Sequence, residues 1–195
     1  MAITTEQIKE LRDMTGISVM QCKKALEEAG GDMEKAVIIL RKQGAVAAAK
    51  KGDRTLGAGI IASYVHSNGK LGVMVELGCE TDFVSGNPEF KTLAYDIAMH
   101  IAASNPEFLK KEEINEEVKQ KATEVFAKEV EGKPEEMKAQ ILQGKLDAYF
   151  KDKVLLEQPF IKNPDVTVGE LINGAVQKFG EKTEITRFVR FGLFQ

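Results

Sequence analysis

Few side chains in this 195-residue sequence are of a type and spacing that could do chemistry. Glu80 and Asp82 are close enough in sequence to be considered as paired acid and base, but paired carboxylates at a loop are common and no nucleophile or further acid or base accompanies them. His66 and His100 are the only histidines and Cys22 and Cys79 the only cysteines, and none of the four lies at metal-ligand spacing to another. Gly57-Ala58-Gly59 lacks the third glycine of a dinucleotide loop, and no glycine-rich loop runs into Lys-Ser or Lys-Thr. The expectation is therefore a protein without cofactor, metal or catalytic residues, one that works by binding.

The stretch most suited to binding is Glu76-Leu77-Gly78-Cys79-Glu80-Thr81-Asp82-Phe83-Val84-Ser85. Leu71, Val73, Val75 and Leu77 alternate with other residues, the period of a strand with one buried face. Asn87-Pro88 then reads as a helix start, with proline where its missing N–H is not needed. Phe83 falls on the connection between two regular elements, where side chains are displayed to partners. By residue type alone the opposite holds, because a phenylalanine beside a strand end is usually core.

Composition narrows the class. A formal net charge of −3 argues against general nucleic-acid binding, which needs surplus Lys and Arg to replace counterions. No apolar run approaches the roughly 20 residues that span a bilayer, and the N-terminus has neither the secretion-signal pattern nor that of a transit peptide. Two cysteines are too few for a disulfide framework. A cytosolic location is expected, with no membrane and no direct nucleic-acid partner.

The elements that must position this stretch are legible in punctuation and period. Residues 1–44 carry three amphipathic helical patterns. Thr4 and Gln7 form a capping box before Ile8, Leu11 and Met14, with Gly16 as stop. Ser18 opens the second, with Cys22, Ala25, Leu26 and Ala29 at helical spacing. Asp32 caps the third, with Met33, Ala36, Val37 and Leu40, and Gly44 as its stop. None can hide its stripe alone, so they should pack as a bundle. Residues 45–54 read as a basic linker. Lys50, Lys51 and Arg54 there, with Arg41 and Lys42 just before, supply the alternative function, a non-enzymatic RNA-binding or scaffolding protein.

From residue 55 the pattern is α+β. Gly59 to His66 and Lys70 to Leu77 flank Asn68-Gly69, the pair most favoured in a two-residue type I′ hairpin. A helix from Pro88 to about Ala103 puts Phe90, Leu93, Ala94, Ile97 and Ile101 on one side. Residues 111–152 read as two helical arms about Gly132-Lys133-Pro134, a protruding helical hairpin or short coiled coil, or arms that lie against another subunit. Thr167 and Glu170 cap a helix that stops at Gly180. Glu184 to Phe191 reads as a strand that joins the hairpin, giving an antiparallel three-stranded sheet with helices on one face.

Several of these segments together resemble the translation elongation factor Ts family. They are Leu11-Arg12-Asp13-Met14-Thr15-Gly16, Met20-Gln21-Cys22-Lys23-Lys24-Ala25-Leu26, Gly31-Asp32, Glu80-Thr81-Asp82-Phe83-Val84, Ile97 to Ala103, Gln158-Pro159-Phe160 and Arg187-Phe188-Val189-Arg190-Phe191. The resemblance covers nearly the whole chain, in the short form of the family. It implies a guanine-nucleotide exchange factor for elongation factor Tu whose N-terminal bundle resembles ubiquitin-associated modules. It also implies that Thr81, Asp82, Phe83 and Val84 meet the partner near its Mg²⁺ site, with Phe83 as wedge and Asp82 supplying hydrogen bonds and charge. Arg12, Val19 and Met20 would grip another helix of the partner's nucleotide domain, and His100 with its helix a different domain. A homodimer acting on two partners is implied, and it would be non-covalent, since no cysteine lies near the C-terminus. Gly78 stands where the family favours Asn, and Gly86 where a basic or amide side chain is usual, which leads us to expect a looser loop around Phe83.

Overall fold

The computed structural model describes residues 3–130 and 134–193. It opens with α1 (Thr5–Thr15), α2 (Val19–Glu28) and α3 (Met33–Lys51). Each starts where the caps predict: Thr4 and Gln7 form the reciprocal capping box, and the Ser18 and Asp32 side chains accept the amides of Gln21 and Lys35. Gly16 ends α1 at φ 67°, a left-handed conformation that only glycine adopts freely. Leu11, Ile17, Cys22, Ala25, Leu26, Ala36 and Leu40 close a small core of their own.

The third helix does not stop at Gly44. It continues to Lys51, so residues 45–51, expected in a linker, are its last two turns. Alanine-rich sequence has high helix propensity, and Lys50 and Lys51 in the last turn suit the negative end of the helix dipole.

Beyond a short connection come β1 (Ala58–Val65), β2 (Leu71–Cys79), the single turn α4 (Asp82–Ser85) and α5 (Pro88–Ser104). There follow α6 (Glu116–Glu129), α7 (Glu135–Lys153), the short β3 (Pro159–Phe160) and β4 (Asn163–Thr167), α8 (Val168–Phe179) and β5 (Thr183–Gly192). The main sheet is antiparallel in the order β1-β2-β5, so the C-terminal strand returns beside the hairpin as expected. The turn between β1 and β2 is not type I′. That type needs positive φ at both central residues, whereas Asn105 is the only non-glycine with positive φ among the described residues. Instead Gly69 alone is left-handed and donates to the His66 carbonyl, while the Asn68 side chain accepts the Lys70 amide.

Val73, Val75, Leu77 and Ile185 on the inner sheet face meet Phe90, Ala94, Ile97 and Ile101 of α5 and Val168 and Ile172 of α8. Gly44 explains how the bundle joins this core. A Cβ there would lie 3.2 Å from the Asn173 carbonyl oxygen of α8. The glycine permits a close helix crossing instead of ending a helix. On the outer sheet face Ile61, Val65, Met74, Val189 and Phe191 are exposed.

The arms α6 and α7 enclose a separate cluster of Ile114, Ala122, Phe150 and Val154, ringed by Phe108, Val118, Phe126, Leu146 and Tyr149. Val125 and Met137 are exposed, and Phe126 takes the inward place. Gly132 and Lys133 of the expected turn lie outside the described residues. Among the described residues no helix is long and apolar enough to cross a membrane.

Candidate functional site

The site begins where β2 runs out. Cys79 is the last paired residue of the strand, opposite Ala58 on one side and Thr183 on the other. Past it the chain is held by a side chain from the turn before β5. The Glu181 carboxylate accepts the Glu80 amide at 3.1 Å, the Thr81 amide at 3.0 Å and the Thr81 hydroxyl at 2.6 Å. In return the Glu80 carboxylate accepts the Lys182 amide at 2.6 Å and pairs with Arg54 Nη1 at 3.2 Å. The Lys182 amide and then Arg54 hold the Glu80 carboxyl below its ordinary range.

From this anchor α4 makes one turn. Its entry residue Thr81 is extended, and its hydroxyl, committed to Glu181, makes no cap bond to the turn. Ser85 Oγ donates to the Asp82 carbonyl at 3.2 Å, and the Gly86 amide closes the turn on the same carbonyl at 2.9 Å. Asn87 then caps α5 with Pro88 in its first turn. Phe83 is 87% exposed, and Asp82 beside it is exposed too. The structure thus displays the aromatic that residue type alone would bury. Val84 goes the other way. Only 3% exposed, it packs into the sheet core, so its side chain anchors the loop and offers a partner no surface.

Neither glycine flanking the loop supplies unusual backbone. Gly78 lies inside β2, where a Cβ would come within 2.8 Å of Leu56 Cδ1, and Gly86 is helical at φ −72°. Neither has a positive φ, and the loop's anchor at Glu181 comes from outside it.

Arg12, in the last turn of α1, is exposed, as are Val19 and Met20 in the first turn of α2. Met14, read with Ile8 and Leu11 as part of the packed stripe of α1, is exposed instead and lies outside the bundle core, so the α1–α2 corner carries one cation and three apolar side chains. The buried Ile17 pins the intervening turn to the bundle core.

His100 is not displayed. It is 1% exposed, enclosed between α5 and the segment around β3, so it cannot itself face a partner as expected. Its Nδ1 accepts the Ile161 amide at 3.2 Å, which leaves Nε2–H to donate to Gln158 Oε1 at 2.9 Å. Burial lowers its pKa below the ordinary histidine value. This neutral imidazole ties α5 to the Gln158-Pro159-Phe160 segment and acts on the surface only through packing.

The cations of the RNA-binding or scaffolding alternative are spread along and past α3, and Arg54 is engaged by Glu80. Among the described residues, no group of three His, Cys, Asp or Glu could hold a metal ion.

Comparison with known proteins gives a consistent result. The family described as elongation factor TS matches residues 5–194. The chain is 50% identical to elongation factor Ts of Carboxydothermus hydrogenoformans over 98% of its length and 89% of the relative. It is 50% identical to elongation factor Ts of Thermodesulfovibrio yellowstonii over 100% and 98% of the two chains. For elongation factor Ts of Heliobacterium modesticaldum the identity is 49%, covering 98% and 90%.

Proposed function

The chain belongs to the elongation factor Ts family, and from that premise we propose that it is a guanine-nucleotide exchange factor for elongation factor Tu. It binds Tu–GDP in the cytosol and promotes release of GDP and Mg²⁺ during translation elongation. The observation that carries this is the exposure of Phe83 on a loop whose neighbours are held to the sheet.

Exchange of this kind needs no acid, base or covalent step. A partner that holds GDP through a phosphate loop and Mg²⁺ releases it when a state with those contacts broken is stabilised. Phe83 is the apolar wedge that fills the opened gap, and Asp82 offers a carboxylate to the polar rim. Arg12, Val19 and Met20 hold the nucleotide domain from a second side. Thr81 and Val84 contribute by fixing the wedge, and His100 by fixing α5. Linkage makes the cycle turn over: if this protein weakens GDP binding by some factor, GDP weakens its binding by that factor, and incoming GTP displaces it.

The exposed outer sheet face supports a non-covalent homodimer. Ile61, Val65, Met74, Val189 and Phe191 form an apolar surface on one side of three strands, which a second copy would cover. Two copies would then serve two partners.

The direct test is stopped-flow release of a fluorescent GDP from purified elongation factor Tu, with and without this protein. Acceleration is expected, and an unchanged release rate overturns the proposal.

A further inference from the structure

We infer that Glu181 is the positioning residue of the Phe83 loop, forming with Glu80 a reciprocal brace that sets the direction in which Asp82 and Phe83 leave the sheet; the inference rests on the exchange function proposed above. The two acids are about 100 residues apart in sequence, and each carboxylate accepts backbone amides from the other's segment. Glu181 takes the amides of Glu80 and Thr81, and Glu80 takes the amide of Lys182. All three amides lie just beyond Cys79 and Thr183, where the strand ladder has ended. Hydrogen bonds to an ionised carboxylate are shorter and stronger than neutral ones, so they replace the ladder at its end.

The arrangement does more than close the sheet. The sheet closes at Cys79 and Thr183 without it, and a turn after Gly180 needs no acid in second place. Thr81 also forgoes its ordinary use. At a helix entry a threonine hydroxyl caps the first turn, but here it points away, to Glu181. The loop gives up a local cap for a distant anchor. With Val84 buried on the far side, α4 is held at both ends and Phe83 stands exposed between them. The brace also reaches the bundle: Arg54, past the end of α3, pairs with Glu80, and Lys182 Nζ donates to the Gly52 carbonyl at 2.7 Å.

A wedge already oriented loses less freedom on entering its gap, so removing the brace should reduce exchange through Phe83 and not through the rest of the surface. The experiment is a double-mutant cycle on fluorescent GDP release. Glu181→Ala in otherwise unaltered protein should lower the exchange kcat/KM about tenfold, equivalent to about 1.4 kcal/mol. Glu181→Gln, which keeps one acceptor, should fall between. In a Phe83→Ala background Glu181→Ala should cost nothing further. Amide hydrogen exchange supplies the structural readout: protection at Glu80 and Thr81 should be lost in Glu181→Ala while Val73 and Val75 keep theirs. An equal loss of exchange in both backgrounds, full activity of Glu181→Ala, or retained protection at Glu80 and Thr81 overturns the brace. If the unaltered protein fails to release GDP at all, the proposed function has failed instead, and the amide-protection result then decides the brace alone.

Discussion

Phe83 and Val84 are neighbours in the chain and lie on opposite sides of one helical turn, Phe83 almost wholly in solvent and Val84 in the sheet core. Truncating each should therefore have opposite consequences. Val84→Ala removes buried methyl groups and should lower the unfolding free energy by about 2 kcal/mol. Phe83→Ala should leave it within about 0.5 kcal/mol, as surface substitutions do. Urea denaturation of the two variants checks this, and equal destabilisation would contradict the geometry.

His100 gives stability a pH dependence of known sign. Burial holds the native imidazole below the 6.5 of an unperturbed histidine, so below that pH the unfolded chain takes up a proton that the native protein resists. The stability is full above 6.5 and falls as pH drops towards the native pKa, by at most about 1.4 kcal/mol per unit. Melting curves from pH 7 to 5.5 should show the fall, and His100→Gln should flatten it. An unaltered slope in that variant would assign the effect to other groups.

Gly44 should not tolerate a branched side chain. A Cβ added there would sit 3.2 Å from the Asn173 carbonyl oxygen, so Gly44→Val must push α3 from α8 and should cost about 1–3 kcal/mol, despite glycine's low helix propensity. Calorimetry would show this as a lower Tm. An unchanged Tm would mean that the helix crossing gives way without cost.

Met74 and Val189 face each other across β2 and β5 on the outer sheet face. If two copies meet there, a double Met74→Glu, Val189→Glu variant should sediment as a monomer with unchanged circular dichroism, and the unaltered chain as a dimer. A monomeric unaltered chain would remove the two-to-two assembly.

Much of this was legible in the sequence because caps and periods are local. Thr4, Ser18, Asp32, Asn87 and Thr167 start helices as read, and β5 returns to the hairpin that needed a third strand. The misreadings share a non-local cause. Gly44 has the look of a helix stop until α8 is seen against it. His100 was placed at a partner surface by the family resemblance alone, and its burial comes from the segment at Gln158 to Ile161, about 60 residues away. Glu181 left no local pattern at all, because the amides it accepts lie about 100 residues away. Phe83 was ambiguous by residue type, and its exposure is decided by the anchor at Val84 on the next residue.

The measurement that bears most directly on the central claim is release of a fluorescent GDP from elongation factor Tu by unaltered protein and by Phe83→Ala, at matched concentration. The expected result is strong acceleration by the former and loss of about tenfold or more by the latter, the effect of removing an interaction made only while the nucleotide leaves. Release by Phe83→Ala as fast as by the unaltered protein would contradict the wedge.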